Sequence, residues 1–141
     1  MKRDMIKFFK KYKCFHLKDR YKLISWIKDC VHSQDKIVGE IFFFFLSDRR
    51  LLKENIKHLN HDTFTDVITF NYSECPKIIS GEVLISIERV RENAKINHKD
   101  FQEELKLVII HSVIHLMGYN DISSEEKIIM RDRENFFLSK Y

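Results

Sequence analysis

The residues best suited to chemistry are two histidines in an apolar stretch, His111 and His115, separated by three residues. On an α-helix this spacing places both imidazoles on one face, about 6 Å apart along the axis. Gly118 then allows the chain to reverse with a positive φ, and Asp121 follows three residues later. Two neutral imidazoles and a returning carboxylate can bind one divalent ion. The pattern therefore predicts a metal site made of His111, His115 and Asp121.

The order of these residues is similar to the extended zincin motif HExxHxxGxxH, with one important difference. Peptidases of that type need a glutamate directly after the first histidine, where it acts as the general base. This chain has Ser112 at that position. A serine hydroxyl does not accept a proton near neutral pH as a carboxylate does, so the sequence argues against proteolysis.

The elements that must position these residues can be predicted from hydrophobic periodicity and capping residues. The stretch from Phe101 to Met117 is apolar around most of a helical circumference, which predicts a central, buried helix that ends at Gly118. Ser123 and Glu126 form a capping-box pattern that opens a final helix. Earlier in the chain we expect helices at about 19–33, 48–59 and 88–98. Ser47 or Asp48 is expected to cap the second of these helices, and Ser86 the third. Strands are expected at Met5 to Phe9, Ile37 to Leu46, Val67 to Tyr72 and Ile78 to Ile87.

These elements predict the fold class. Strands cluster in the first two thirds of the chain and helices dominate the end, which favours an α+β fold. We expect one domain over residues 1–141, with a small mixed β-sheet of about four strands packed by about five helices. The metal site then lies at the C-terminal end of the central buried helix.

Composition excludes several protein classes. The 141 residues are 44% hydrophobic and 33% charged, with three Gly and one Pro, which is typical of a folded domain and not of a disordered chain. The longest apolar run, Ile41 to Leu46, is too short to cross a bilayer, and no apolar stretch after the basic N-terminus indicates a signal peptide. The widely spaced Cys14, Cys30 and Cys75 are expected to be free thiols in a reducing cytoplasm.

Charge is unevenly distributed along the chain. Residues 1–22 hold nine Lys/Arg and two Asp, a net charge of +7, whereas the whole chain carries +4. A basic terminal segment can attract nucleic acid or anionic lipid. The alternative, a solvated Lys-rich surface, carries equal weight.

Three segments, in order along the chain, resemble the YbeY endoribonucleases, which are also called ribosomal RNA maturation factors. The stretch 111–121 reads HSVIHLMGYND, where the family usually has HGxLHLxGYDH. Residues 65–70 read TDVITF, similar to TDVLSF, and residues 81–86 read GEVLIS, similar to GDIxIS. The resemblance implies an α+β fold with a mixed sheet, a bound metal that is usually zinc, and single-strand-specific RNA cleavage. The resemblance also implies roles at the ribosome, in maturation of the small-subunit RNA and in ribosome quality control.

By position, the resemblance places the family's first two ligands on His111 and His115 and its third on Asp121, where the family has histidine. The aspartate lowers the net charge of the site by one, which makes a bound ion a poorer Lewis acid. We expect one divalent ion, zinc first, with iron, manganese or nickel also compatible with two histidines and a carboxylate. Asn120 is a weaker alternative ligand because its amide carries no charge.

A second departure concerns the positive charge that stabilises a phosphodiester transition state. The family commonly has an arginine shortly before the TDVLSF segment, and the aligned residue here is Leu59. Lys57, His58 and His61 are the candidates to replace it. Glu82, in the third segment, is a candidate to orient a bound water or a ligating imidazole, or it is a surface carboxylate. Catalytic residues beyond the metal ligands are therefore unknown, with Glu82 and His61 as candidates.

The functional prediction is a cytoplasmic, metal-dependent endoribonuclease that acts on single-stranded ribosomal RNA. Its expected partner is the ribosome or the small subunit, with no membrane, and a monomer is assumed. Two alternatives stay open: a ribosome assembly factor whose metal is structural, and a metallohydrolase on another substrate, including a peptidase. A site closed by four protein ligands would indicate a structural metal, whereas three ligands leave a position for catalysis.

Overall fold

The computed structural model describes residues 4–13, 15–61 and 63–141. Cys14 and Asp62 lie outside the described residues. Within them the chain forms four strands and five helices, as the sequence predicted. In chain order the elements are β1 (Met5–Lys10), α1 (Arg20–His32), β2 (Ile37–Leu46), α2 (Asp48–Leu59), β3 (Val67–Asn71), β4 (Ile78–Ser86), α3 (Ile87–Ile96), α4 (Phe101–Leu116) and α5 (Ser124–Leu138).

The strands form one mixed sheet in the order β1-β2-β4-β3. β1 pairs with β2 and β2 with β4 in parallel, whereas β3 runs antiparallel to β4. The central position of β2 agrees with its nearly continuous apolar sequence, because a strand covered on both faces has little use for alternating polar residues. β3 forms the edge opposite β1, and this edge lies beside the candidate site.

Helices cover both faces of the sheet. Phe43 and Phe45 of β2 are fully buried in the main core, which also holds apolar residues of α1, α3, α4 and α5. On the other face Phe44 packs against a smaller cluster that includes Leu51 of α2. Because α4 packs against α1, α3, α5, β3 and β4, it is the central buried helix that its sequence predicted. None of the helices in the described ranges has the length and apolar character needed to span a membrane.

The N-termini of α2 and α3 are tied to each other. The Ser47 hydroxyl accepts a hydrogen bond from the Arg50 amide at 3.1 Å, so Ser47 and not Asp48 is the N-cap of α2. The Ser86 hydroxyl accepts one from the Arg89 amide at 3.1 Å, which confirms the predicted cap of α3. Asp48 at the start of α2 also accepts a 2.8 Å hydrogen bond from the Arg89 guanidinium. The Ser86 hydroxyl donates to the same carboxylate at 3.1 Å. This arrangement holds the Arg89 side chain at the junction of the two helices.

A glycine lets the sheet approach the end of α4 closely. A Cβ atom on Gly81 of β4 would lie 2.4 Å from the Phe70 carbonyl oxygen and 2.5 Å from Cδ2 of Leu116. Any side chain at this position would therefore push β4 away from β3 or from α4. This close packing fixes the position of the C-terminal end of α4 relative to the sheet, and therefore also the position of His111 and His115.

Candidate metal centre

Helix α4 presents His111 and His115 on the one face that is not buried. Their side chains are 23% and 26% exposed, whereas Ser112 and Ile114 on the neighbouring faces are fully buried. The two Nε2 atoms lie 3.1 Å apart, with the rings nearly perpendicular at 84°. The helical spacing therefore does what the sequence predicted and brings both imidazoles to one point.

The turn after α4 returns the third residue to the same point. Gly118 has φ +101°, and its amide donates to the His115 carbonyl at 2.9 Å while the Tyr119 amide donates to the Ile114 carbonyl at 3.4 Å. These two hydrogen bonds form a Schellman motif, which terminates the helix and reverses the chain. Asp121 follows, and its Oδ2 atom lies 3.4 Å from the Nε2 of each histidine.

The three donor atoms have the geometry of a metal site. Their separations of 3.1, 3.4 and 3.4 Å form a nearly equilateral triangle. Tetrahedral zinc with bonds of about 2.0–2.1 Å requires ligand separations of about 3.3–3.4 Å. His111, His115 and Asp121 could therefore hold a divalent ion on the triangle. Asp121 is the most exposed of the three, at 38%, so the site opens towards solvent on its side.

Sequence reasoning missed a fourth residue, Glu134 on α5. Its Oε2 atom lies 2.5 Å from Nδ1 of His111, and its side chain is only 15% exposed. A carboxylate that accepts a hydrogen bond from Nδ1–H favours the neutral tautomer in which Nε2 is free to bind a metal, and it fixes the orientation of the ring, as in many carboxylate–histidine–zinc groups. The sequence shows Glu134 only as one of several acidic residues on the last helix, and no spacing distinguishes it.

The same contacts control the protonation of His111. Burial by itself would lower the pKa of His111, but the hydrogen bond and charge of Glu134, followed by the charges of Asp121 and Asp66, outweigh it and raise the pKa. The four acidic and imidazole groups thus form a locally negative site that favours a cation. A metal ion that binds Nε2 must displace any proton held there, so metal binding and proton release are coupled.

The donor triangle lies on the wall of a cleft of about 710 Å³ that runs between α4 and the edge strand β3. Leu59 and His61 line this cleft, together with Asp66 and Asn120. Leu59, which the sequence resemblance aligns with an arginine, therefore lines the same cleft as the candidate donors. In the described part of the chain, no lysine or arginine is among the lining residues.

Only one of the three residues that could replace the missing arginine lines the cleft. His61 does so and is exposed. His58 instead pairs with Glu54 at 2.9 Å and packs edge-on against Phe70. Lys57 is exposed on α2 and is not part of the cleft wall.

The structure does not bring Glu82 to the donor triangle. Its β4 neighbour Val83 belongs to the main core with α4, and successive side chains of a strand point to opposite faces. Glu82 therefore lies on the other face of the sheet, where it lines a different cavity beside Phe42 and Tyr72. Partial burial, together with the charge and hydrogen bond of Glu82, raises the pKa of Tyr72.

Ser112 occupies the position that holds the general base in zincin peptidases. Its side chain is fully buried, and its hydroxyl donates a 2.8 Å hydrogen bond to the Val108 carbonyl within the same helix. The hydroxyl therefore has no access to a substrate in the cleft. This placement agrees with the argument against proteolysis from the residue type.

Comparison with known proteins shows consistent similarity over most of the chain. A family model described as endoribonuclease YbeY matches residues 9–141. The endoribonuclease YbeY of Flavobacterium psychrophilum is 45% identical over 121 residues, which is 86% of this chain and 86% of that protein. The one of Cytophaga hutchinsonii is 37% identical over 139 residues, 99% of this chain and 97% of the relative. A Thermotoga maritima protein with a known solution structure shares the fold at TM-score 0.66 and 22% identity, covering 96% of this chain and 90% of its own.

Proposed function

The chain belongs to the YbeY endoribonuclease family, and from that membership we propose that it is a metal-dependent endoribonuclease that processes ribosomal RNA. The observation that carries this proposal is the triangle of His111, His115 and Asp121, which falls within the matched residues and faces an open cleft. Relatives named endoribonucleases share 37% and 45% of their residues with this chain over most of its length.

Each residue of the centre has a separate part in the proposed mechanism. When bound, a divalent ion supplies Lewis acidity for phosphodiester hydrolysis. His111 and His115 would bind the ion through Nε2, and Glu134 favours the required tautomer of His111 by accepting a hydrogen bond from Nδ1–H. Asp121 supplies the third donor and reduces the net charge of the site. We propose zinc as the ion because donor separations of 3.1–3.4 Å suit its tetrahedral geometry, with iron, manganese and nickel as the other ions of suitable chemistry.

We propose His61 as the source of positive charge beside the scissile phosphate. It is exposed, it lines the cleft, and the wall in the described ranges contains no lysine or arginine. A protonated imidazole there would stabilise the charge that the phosphate gains in the transition state. Leu59 leaves the usual arginine position without a charge, so the chain needs such a replacement.

The proposed substrate is single-stranded RNA of the small ribosomal subunit, with the ribosome as the platform. The net charge of +7 in residues 1–22 supports long-range attraction of RNA. We further propose that residues 1–141 act as one monomeric domain in the cytoplasm. The free thiols of Cys30 and Cys75 are consistent with a reducing compartment.

Two observations weigh against the alternative functions. The buried hydroxyl of Ser112 leaves a peptidase without its general base. Only three protein donors meet at the centre in the described residues, whereas a purely structural zinc usually has four. A catalytic centre with an open position therefore fits the donor set better than a closed structural site.

The deciding experiment compares wild type with His115→Ala for cleavage of an end-labelled single-stranded RNA. We expect the variant to lose both the metal and the cleavage, and to keep its fold because His115 lies at the surface of α4. His32→Ala, at an exposed histidine of α1, is the matched control and should behave as wild type. Equal cleavage by wild type and His115→Ala would contradict the assigned site. Cleavage by neither would favour the assembly-factor alternative, which binding to small subunits would then test.

A further inference from the structure

An exposed aromatic ring lies on the wall of the cleft beside the candidate metal centre. Phe64, in the segment between α2 and β3, is 55% exposed and lines the same cleft as His111, His115 and Asp121. Among the lining residues of the described chain it is the sole phenylalanine, tyrosine or tryptophan. It belongs to neither hydrophobic core cluster, so burial does not account for it.

One side of the ring is supported by a fixed cation. The Arg89 guanidinium lies over the Phe64 ring, 5.4 Å from its centroid, which is a distance typical of a cation–π contact. Arg89 is in turn held by Asp48 through a 2.8 Å hydrogen bond, and Asp48 also binds the hydroxyl of Ser86. The Phe64 ring therefore contacts an arginine whose position is fixed by Asp48, while more than half of the surface of the ring is exposed to solvent.

The charges of the cleft indicate which part of an RNA can contact this wall. Asp66 and Asp121 line the cleft, and no lysine or arginine does so in the described residues. Away from His61 and the metal centre, such a wall offers phosphate groups no cationic partner, whereas an uncharged nucleobase needs none. An exposed aromatic ring next to a nuclease centre is chemically suited to a base, because every base offers a flat π-face.

We propose that Phe64 stacks on one unpaired nucleobase of the RNA next to the cleaved bond, with Arg89 as the support behind the ring. The proposal rests on the endoribonuclease function and adds the contact that selects single strands. A base within a duplex is covered on both faces by its neighbours, so it can reach Phe64 only after it has left the helix. Phe64 is therefore a specificity-determining residue.

The first test is the kinetics of Phe64→Ala on a short single-stranded RNA. We expect kcat/KM to fall about 5- to 150-fold, the loss typical of removing one base–aromatic stack, and KM to carry most of it because the stack already forms in the bound substrate. Phe64→Tyr retains a flat ring and should stay close to wild type. The matched control is Tyr21→Ala, which removes an aromatic that is 84% exposed on α1, outside the cleft. Metal content should be unchanged in all of these variants.

A double-mutant cycle separates stacking from a general structural effect. Single abasic sites are placed in turn at each position flanking the cleaved bond, and wild type is compared with Phe64→Ala on each RNA. At one position the abasic site should slow cleavage by wild type as much as the Phe64→Ala substitution slows cleavage of the intact RNA. On that abasic RNA, wild type and Phe64→Ala should cleave at the same rate. If the effect of Phe64→Ala stays the same on every abasic RNA, the ring does not stack on a base and the proposal is overturned.

A binding experiment tests the contact even if no cleavage is detected. In a Phe64→Trp variant the new indole is exposed, whereas the natural Trp26 is 4% exposed and shielded. A single-stranded oligoadenylate should quench the emission of the new indole, and an abasic oligomer of equal charge should not. Unchanged emission at saturating RNA, with binding followed by anisotropy, would overturn the stacking proposal. Absence of cleavage by wild type would instead contradict the proposed function, so the two failures are distinguishable.

Discussion

Replacing Glu134 by glutamine should weaken binding of the proposed zinc ion without disrupting the fold, because Glu134 contacts His111 and is not one of the three candidate donors. The wild-type carboxylate accepts a hydrogen bond from Nδ1–H of His111 at 2.5 Å, in a position that is 15% exposed. Glutamine has nearly the same shape, and its amide oxygen can still accept that hydrogen bond. The substitution therefore removes the charge and keeps the contact.

The size of the effect follows from the kind of hydrogen bond that changes. Hydrogen bonds to a charged group contribute about 1.5–3 kcal/mol, and neutral ones about 0.5–1.5 kcal/mol. The difference of about 1–1.5 kcal/mol corresponds to a Kd for zinc that is about 5- to 13-fold higher. Glu134→Ala also frees the ring to rotate, so its loss should reach the range of about 10- to 100-fold that is typical of removing such an orienting partner.

The measurement is a competition titration of zinc between the protein and a chromophoric chelator at constant pH. Cobalt substitution adds a spectrum that reports whether the coordination stays tetrahedral. The matched control is Asp132→Asn, which removes an exposed carboxylate from the same helix, two residues away. We expect the control to bind zinc as wild type does. The Kd for zinc should increase from wild type to Glu134→Gln and again from Glu134→Gln to Glu134→Ala.

Two results would refute this reasoning. If Glu134→Gln and Asp132→Asn shift the Kd equally, helix α5 acts through its overall charge and not through the contact with His111. If Glu134→Ala retains wild-type affinity, the imidazole is oriented by packing alone. In either case thermal unfolding of the metal-free proteins must show that the fold is intact.

Three further predictions concern other residues. Asp121→His should bind zinc with the family's usual three histidines and remain active on RNA; a variant that binds no zinc would show that Asp121 does not ligate. In a Cys14→Ser background, a thiol reagent at pH 8 should modify the exposed Cys75 and leave Cys30 unmodified until the protein unfolds. The reason is that burial, followed by the charge of Asp29, raises the pKa of Cys30 to about 12. Rapid loss of both thiols would contradict that burial. Gly118→Ala should lower the free energy of unfolding by about 1–2 kcal/mol, measured by urea denaturation, because φ of +101° is unfavourable for alanine. No atom lies within 4 Å of the added Cβ, so the loss would come from backbone strain and not from a clash. An unchanged midpoint would mean that the turn relaxes without strain.

Local signals were sufficient to predict most of the elements. Helix boundaries follow from side chains that satisfy free backbone amides, and Ser47, Ser86 and Ser123 all cap helices where the sequence indicated. The proximity of the three candidate donors follows from helical spacing and from a glycine that permits a reversal. These features depend on residues within a few positions of one another, so a single sequence contains the necessary information.

The remaining features depend on which surfaces pack together, and the sequence does not encode that locally. Residues 81–86 read GEVLIS, which is apolar on both faces, so nothing in this segment shows that Glu82 points away from α4. Glu134 lies 23 residues after His111 in the chain, and it approaches His111 only because α5 packs against α4. Phe64 reads as an ordinary apolar residue until its exposure and its position beside Arg89 are known.

The contact between Glu134 and His111 makes the metal centre a product of two helices that are synthesised one after the other. A nascent chain that has completed the turn after α4 already possesses His111, His115 and Asp121, but it lacks the carboxylate that orients the first ligand. Such an intermediate would hold the proposed ion less firmly than the complete protein, because His111 is not yet oriented. Firm binding at this centre would therefore require that α5 has folded and packed against α4.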